Sequence, residues 1–363
     1  MLTMNAKESL YNNKINQEII KIIANIGGGM ILHNQLIIVC EEMKISSTLR
    51  IKSSITELIK NGFLKKKQVL SSKTNMLILT AYPLSRVLKI EDSRNVPEIA
   101  TSNKSIIDNI FRMELILDYI RQYRIQAKSN ESIDSEFLIR ILFSINSTLG
   151  FSLRNVMRYM ELLKEKEGAC LSEQYTEDLT VEKVKKSLKR NMLAKYNVDE
   201  ISPEDMKLKE SVDEIKAYMN ADEINRNFFN ITNLKNSSAD IEGIKFLENK
   251  QIYLKMAVYD NRNLSIDRIC TLAGNTYNML CRYSKEYEKP ILKVVVYCAN
   301  IDTKEYLEEE GNLRATYMYG YKDTTKMIEK LISLGNVRFP YCTENIKICF
   351  ENKNIEEHYK ISF

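Results

Sequence analysis

The stretch that decides the fold is "ISSTLRIKSSITELIKNGFLKKK", residues 45–67. Ile51, Ile55, Leu58 and Ile59 recur at helical spacing, so one face of this segment is built for a core. Gly62 follows as a left-handed cap, which places a helix over about residues 47–61. The opposite face carries hydroxyls and cations. Between Lys44 and Lys73 stand eight basic residues and one acid, Glu57. A core accounts for the apolar face only. A local excess of seven positive charges points to a polyanion.

Upstream, Ile15, Ile19, Ile22, Ile23 and Ile26 form a helical face that ends at the glycines 27–29. Asn34 then caps a second helix, "QLIIVCEEM", with Leu36, Val39, Cys40 and Met43 on one side. Downstream, "FLKKKQVL" and "NMLILTAY" read as two strands joined by "SSKT", and Pro83 opens a short helix to Leu88. Helix, helix, turn, helix and a two-stranded ribbon resemble a winged helix-turn-helix domain over residues 1–95.

That resemblance implies that the third helix enters the major groove of double-stranded DNA. Ser46, Ser47 and Thr48 at its start would bond phosphate through side chains and free backbone amides. Arg50, Lys52, Ser53 and Thr56 would reach base edges or phosphates. Lys65, Lys66, Lys67 and Lys73, on or beside the wing, would meet phosphate or the minor groove. The competing reading is a solvated helix face in a winged helix that binds protein.

Residues 100–227 read as helix. "SIIDNIFRMELILDYI" sets Ile106, Ile110, Met113, Leu117 and Ile120 at the spacing of a coiled-coil seam or a helix packed within its own domain. "EKVKKSLKRN", residues 182–191, is a second basic stretch. Residues 228–363 change texture. "IEGIKFL" and "QIYLKMAVY" form a hairpin, "SIDRICTLAGNTYNMLCRYSKE" a helix, and "ILKVVVYC" a strand suited to the centre of a sheet. "DTKEYLEEE" and "DTTKMIEKLISLG" read as helices, and "RATYMYGY", "NIKICFE" and "YKISF" as strands. The expected class is α+β, with a C-terminal α/β domain built on a mixed sheet.

Hairpin, helix and strand in that order resemble the core of the PD-(D/E)xK nucleases. On that resemblance Asp240 takes the place of the first acid and Lys255 that of the lysine, but Tyr253 stands where the second metal-binding acid belongs. The expectation is a nuclease-like scaffold without nuclease chemistry, in which Asp240 and Lys255 are ordinary strand-end surface residues. A winged helix ahead of such a domain is similar to the replication-relaxation proteins of bacterial plasmids and integrative elements. Asp260 with Arg262, then Arg282 with Tyr283, carry that likeness, although Val258 replaces its first acid. It implies regulation, replication or transfer of a mobile element.

The remaining inventory narrows the chemistry. Two histidines, His33 and His358, leave no histidine triad and no multi-histidine metal site. Seven scattered cysteines without a Cys-x-x-Cys read as reduced thiols in a cytoplasm. "NIGGGMILHN" lacks the spacing of a nucleotide loop. The N-terminus has no apolar signal region, and no uncharged apolar run reaches the roughly 20 residues that span a bilayer. The sequence therefore predicts a non-enzymatic DNA-binding protein with no cofactor or metal, a homodimer, with a further protein partner at the C-terminal domain. A metal-dependent nuclease with an unrecognised site, or a protein-interaction module of a conjugation or phage system, are the alternatives.

Overall fold

A computed structural model describes residues 3–127 except 71, 131–144, 147, 149, 236–247, 251–260, 264–283, 289–317 and 345–361. The expectations for residues 150–227, with the basic stretch 182–191, and for the helix at 323–335 lie outside those residues.

The chain starts with α1 (Met4–Asn12) and α2 (Lys14–Lys21), the second capped by the Asn13 side chain and prolonged by one π-helical turn, Ile22–Ile26. Gly28 and Gly29 have φ of +63° and +98°, a geometry open to glycine, and turn the chain into β1 (Met30–Leu32). Then come α3 (His33–Glu42), α4 (Thr48–Lys60), β2 (Leu64–Gln68), β3 (Asn75–Leu79) and α5 (Ala81–Leu88). The three strands form an antiparallel sheet in the order β1-β3-β2. Asn34 does not cap α3. Leu32 occupies that position, because β1 pairs with β3 as far as Leu32↔Met76 and passes straight into the helix.

α4 is amphipathic as its spacing predicts, with Ile51, Ile55 and Leu58 fully buried. It ends in a Schellman motif. The Phe63 amide donates to the Leu58 carbonyl at 2.9 Å and the Gly62 amide to Ile59 at 3.1 Å, with Gly62 at φ +74°.

α6 (Asn103–Ala127) is the 25-residue spine of the molecule. Ile106, Ile110, Met113, Leu117 and Ile120 are buried in one core with residues of α2, α3 and α4 and with Ala257, Tyr259, Val295 and Tyr297 of the C-terminal sheet. The apolar face that resembles a coiled-coil seam is therefore covered by the chain itself and offers no dimer surface. α7 (Ser135–Ser144) follows.

The C-terminal sheet holds β4 (Ala239–Phe246), β5 (Ile252–Tyr259), β6 (Ile291–Cys298) and β7 (Ile346–Asn352) in that order. β4 and β5 are the expected antiparallel hairpin, and β5-β6-β7 run parallel. The connections pass through α8 (Ile266–Tyr283) and α9 (Ile301–Tyr317). Alternation divides the sheet. Leu254, Met256, Val258, Val294, Val296 and Ile348 share a core with Ile266, Ile269 and Ala273 of α8 and Leu307 of α9, while the opposite side packs on α6. Two strand expectations fail. Arg314–Tyr317 belongs to α9, and "YKISF" begins at the end of a short helix, α10 (Ile355–Tyr359), where Lys360 turns left-handed at φ +52°.

Candidate nucleic-acid interface and the buried carboxylates

The face of α4 opposite its core residues presents Leu49, Ser53, Thr56 and Lys60, flanked by Arg50 and Lys52, all exposed. Ser47 is exposed at the N-cap, and its side chain makes no capping bond. Ser46 is half-buried. The Thr48 hydroxyl donates to Glu41 Oε1, and the Thr56 hydroxyl donates to the Lys52 carbonyl at 2.8 Å. Lys65 and Lys66 on the edge strand β2, and Lys73 at the hairpin tip, face solvent. Lys67 does not: it is half-buried, and its ammonium donates to the Thr101 carbonyl ahead of α6. It fastens the β2-β3 hairpin to the body of the protein.

Two residues of this surface escape a sequence reading. His33, at the first turn of α3, is half-buried. Burial first, and then the nearby Lys66 and Lys52, hold its imidazole below the ordinary histidine value, opposed by a hydrogen bond with Asn34. Its position shows that α4 and β2 bring positive charge to one place, beside the start of α3. Leu49 is 81% exposed at the second position of α4, among the hydroxyls and cations.

The hairpin tip is anchored to the far end of the chain. The Thr74 hydroxyl donates to the Tyr359 carbonyl at 2.9 Å, and the Tyr359 hydroxyl donates to Glu114 of α6. Gln35 of α3 donates to the same Glu114 at 2.8 Å and to the Ile110 carbonyl at 2.9 Å. Burial first, and then Glu114, push the Tyr359 phenol up, so it stays a donor.

Asp240 and Glu242 are buried on β4 and face α6, with a bulge between Ile241 and Gly243. Asp240 Oδ2 accepts from Arg112 Nε at 2.9 Å, Arg112 Nη2 at 2.8 Å and the Tyr259 hydroxyl at 2.8 Å. Glu242 Oε1 accepts from Lys255 at 2.5 Å and Tyr119 at 3.1 Å, and its Oε2 from Tyr297 at 2.9 Å. The expectation of surface residues is corrected on both counts: Asp240 is enclosed between sheet and helix, and Lys255 serves Glu242. Phe111 stacks on Tyr259 at 5.6 Å and closes the site from the α6 side. Burial, reinforced by the adjacent carboxylates, raises the phenols of Tyr119, Tyr259 and Tyr297. Burial acts to lower Arg112, but Asp240, with Tyr259 and Asp108, outweighs it and holds the guanidinium charged.

Tyr253 sits two residues before Lys255 on the same face of β5, half-buried. Among the described residues, no group of three or more His, Cys, Asp and Glu is placed to hold a metal ion, and no helix is long and apolar enough to cross a membrane. No family model, curated protein or solved structure matches this chain.

Proposed function

We propose that the chain binds double-stranded DNA through a winged helix-turn-helix formed by α2, α3, α4 and the β2-β3 hairpin. The observation that carries this reading is the convergence of Lys52 from α4 and Lys66 from β2 around His33, with Arg50, Ser53 and Lys65 exposed beside them. The strand order β1-β3-β2, with the hairpin projecting beside α4, supports it. α4 presents exposed hydroxyls and cations with Leu49 among them, and a major groove has room for one helix. Arg50, Lys52 and Ser53 address base edges. Lys65, Lys66 and Lys73 address phosphates. Thr48 and Thr56, whose hydroxyls are engaged within the fold, contribute less than their sequence positions suggest.

The reading includes a homodimer, since one such domain covers a single short half-site, and its surface lies away from the buried face of α6. On the resemblance in the sequence, it extends to regulation, replication or transfer of a mobile element. Phosphodiester cleavage is not part of it. Asp240 and Glu242 spend their lone pairs on Arg112, Lys255 and three tyrosines, and displacing those donors with a hydrated divalent ion would strand a buried guanidinium. The test is capture of genomic fragments by the pure protein, followed by sequencing. Enrichment of a recurring sequence that vanishes in Arg50→Ala/Lys52→Ala is the expected result, and uniform recovery of all fragments would overturn sequence-specific reading.

A further inference from the structure

Lys255, Lys293 and Lys347 are direct register partners across three neighbouring parallel strands. Lys255 pairs with Lys293 of β6, and Lys293 with Lys347 of β7. All three belong to the side of the sheet that faces α6, by the same alternation that places Ala257, Val295 and Cys349 there. Adjacent strands lie about 4.8 Å apart, so three ammonium stems leave the sheet within a span of about 10 Å. Like charges directly opposite one another destabilise a sheet. A fold with no use for the row would not gather it.

The Cys349 thiol lies on the same side of the sheet as this row. Burial pushes it up first, Lys293 acts against that, Glu351 adds to it, and Lys347 and Lys255 oppose it again. Lys255 is paired with Glu242. Glu351, one pleat further along, lies 3.8 Å from Lys353. Lys293 and Lys347 make no ion pair among the described residues, and Lys347 is exposed. On the same side, at the end of the sheet beyond the lysines, Tyr253 stands half-buried in register with Ile291.

We infer that this end of the sheet is a second nucleic-acid site, separate from the α4 surface, which holds the backbone of a single strand on Lys293 and Lys347 and stacks a base on Tyr253. Cations in a row with a neighbouring, half-buried aromatic ring at the end of the sheet suit unpaired bases, which expose a π-face; a duplex keeps its bases inside. This goes beyond the duplex reading and stands or falls separately from it.

The experiment is fluorescence anisotropy of the full chain with a labelled oligothymidylate of about 15 nucleotides at low salt. The wild-type protein binds it. Lys293→Glu/Lys347→Glu weakens binding at least tenfold and leaves the melting temperature unchanged or higher, because an acid now sits beside Lys255. Tyr253→Ala weakens the oligonucleotide but leaves tripolyphosphate binding unchanged. Arg50→Ala/Lys52→Ala, which removes the preference among duplex sequences, leaves the oligothymidylate in place. Wild-type protein that does not bind the oligonucleotide overturns the inference. So does a double variant that binds as well as wild type, or tripolyphosphate or polyglutamate that displaces the strand at equal concentration of charge.

Discussion

Arg112 of α6 meets Asp240 of β4 at 2.8 Å, with the carboxylate side chain 3% exposed, and this pair joins the N-terminal helices to the C-terminal sheet. A buried ion pair adds little over an apolar pair of the same shape, but removing one partner leaves a bare charge. Asp240→Ala should therefore cost about 3–5 kcal/mol of unfolding free energy. Arg112→Met/Asp240→Leu should recover most of that loss. Urea denaturation of these two variants beside the wild type measures it, and equal losses in the single and double variants would show that the pair is not what holds the two parts together.

The tyrosines around the carboxylates set an alkaline limit. Tyr119, Tyr259, Tyr297 and Tyr359 have folded values above the ordinary phenol value of about 10. The folded state holds these protons more tightly than the unfolded chain does. Stability is then full below about pH 10 and falls as pH rises beyond it. Tyr297→Phe loses the bond to Glu242 and should be less stable by about 1–3 kcal/mol at pH 8, with a shallower decline above pH 10. Denaturant midpoints at pH 8, 10 and 11 check both signs.

His33 has the opposite linkage. Its folded value lies below the ordinary value of about 6.5, so the unfolded chain binds the proton better and stability falls as pH drops through that value. Asn34, Lys66 and Lys52 are the groups that face it. His33→Gln should flatten the loss of melting temperature between pH 7.5 and 5.5. Bound phosphate offsets the two lysines, so duplex binding should take up a proton at His33, and affinity should rise over the same range in the wild type only. An identical pH profile in His33→Gln would remove His33 from the surface.

Gly62 ends α4 at φ +74°, and a Cβ added there would meet no atom within 4 Å, so space is not the constraint. Gly62→Ala should cost about 1 kcal/mol through backbone strain alone. Gly62→Asn, which tolerates the left-handed region, should cost less. Thermal melts distinguish the two, and equal losses would point to a role other than the cap.

The parts legible in the sequence were those with a local period and a stop. α4 announced itself by Ile51, Ile55 and Leu58 with Gly62 behind them, and β4, β5, α8 and β6 by alternation, length and a β-branched run. β1 has three residues, too few for alternation to register. Asp240 and Arg112 are 128 positions apart, and nothing local marks either as buried. Lys67 is indistinguishable from Lys65 and Lys66 until the Thr101 carbonyl is in place beside it. The lysine row needed the strand register, which is a property of three separated segments.

The proposed duplex binding through α4 and the β2-β3 hairpin is tested most directly by the salt dependence of duplex affinity, measured for the wild type and for Lys66→Ala. Affinity should fall steeply between about 50 and 200 mM salt, because each phosphate neutralised releases condensed counterions. Lys66→Ala should bind every duplex more weakly and lower the slope of log affinity against log salt by about one. Absence of binding to any duplex at about 50 mM salt, or a slope unchanged by Lys66→Ala and by Lys65→Ala alike, would contradict the account.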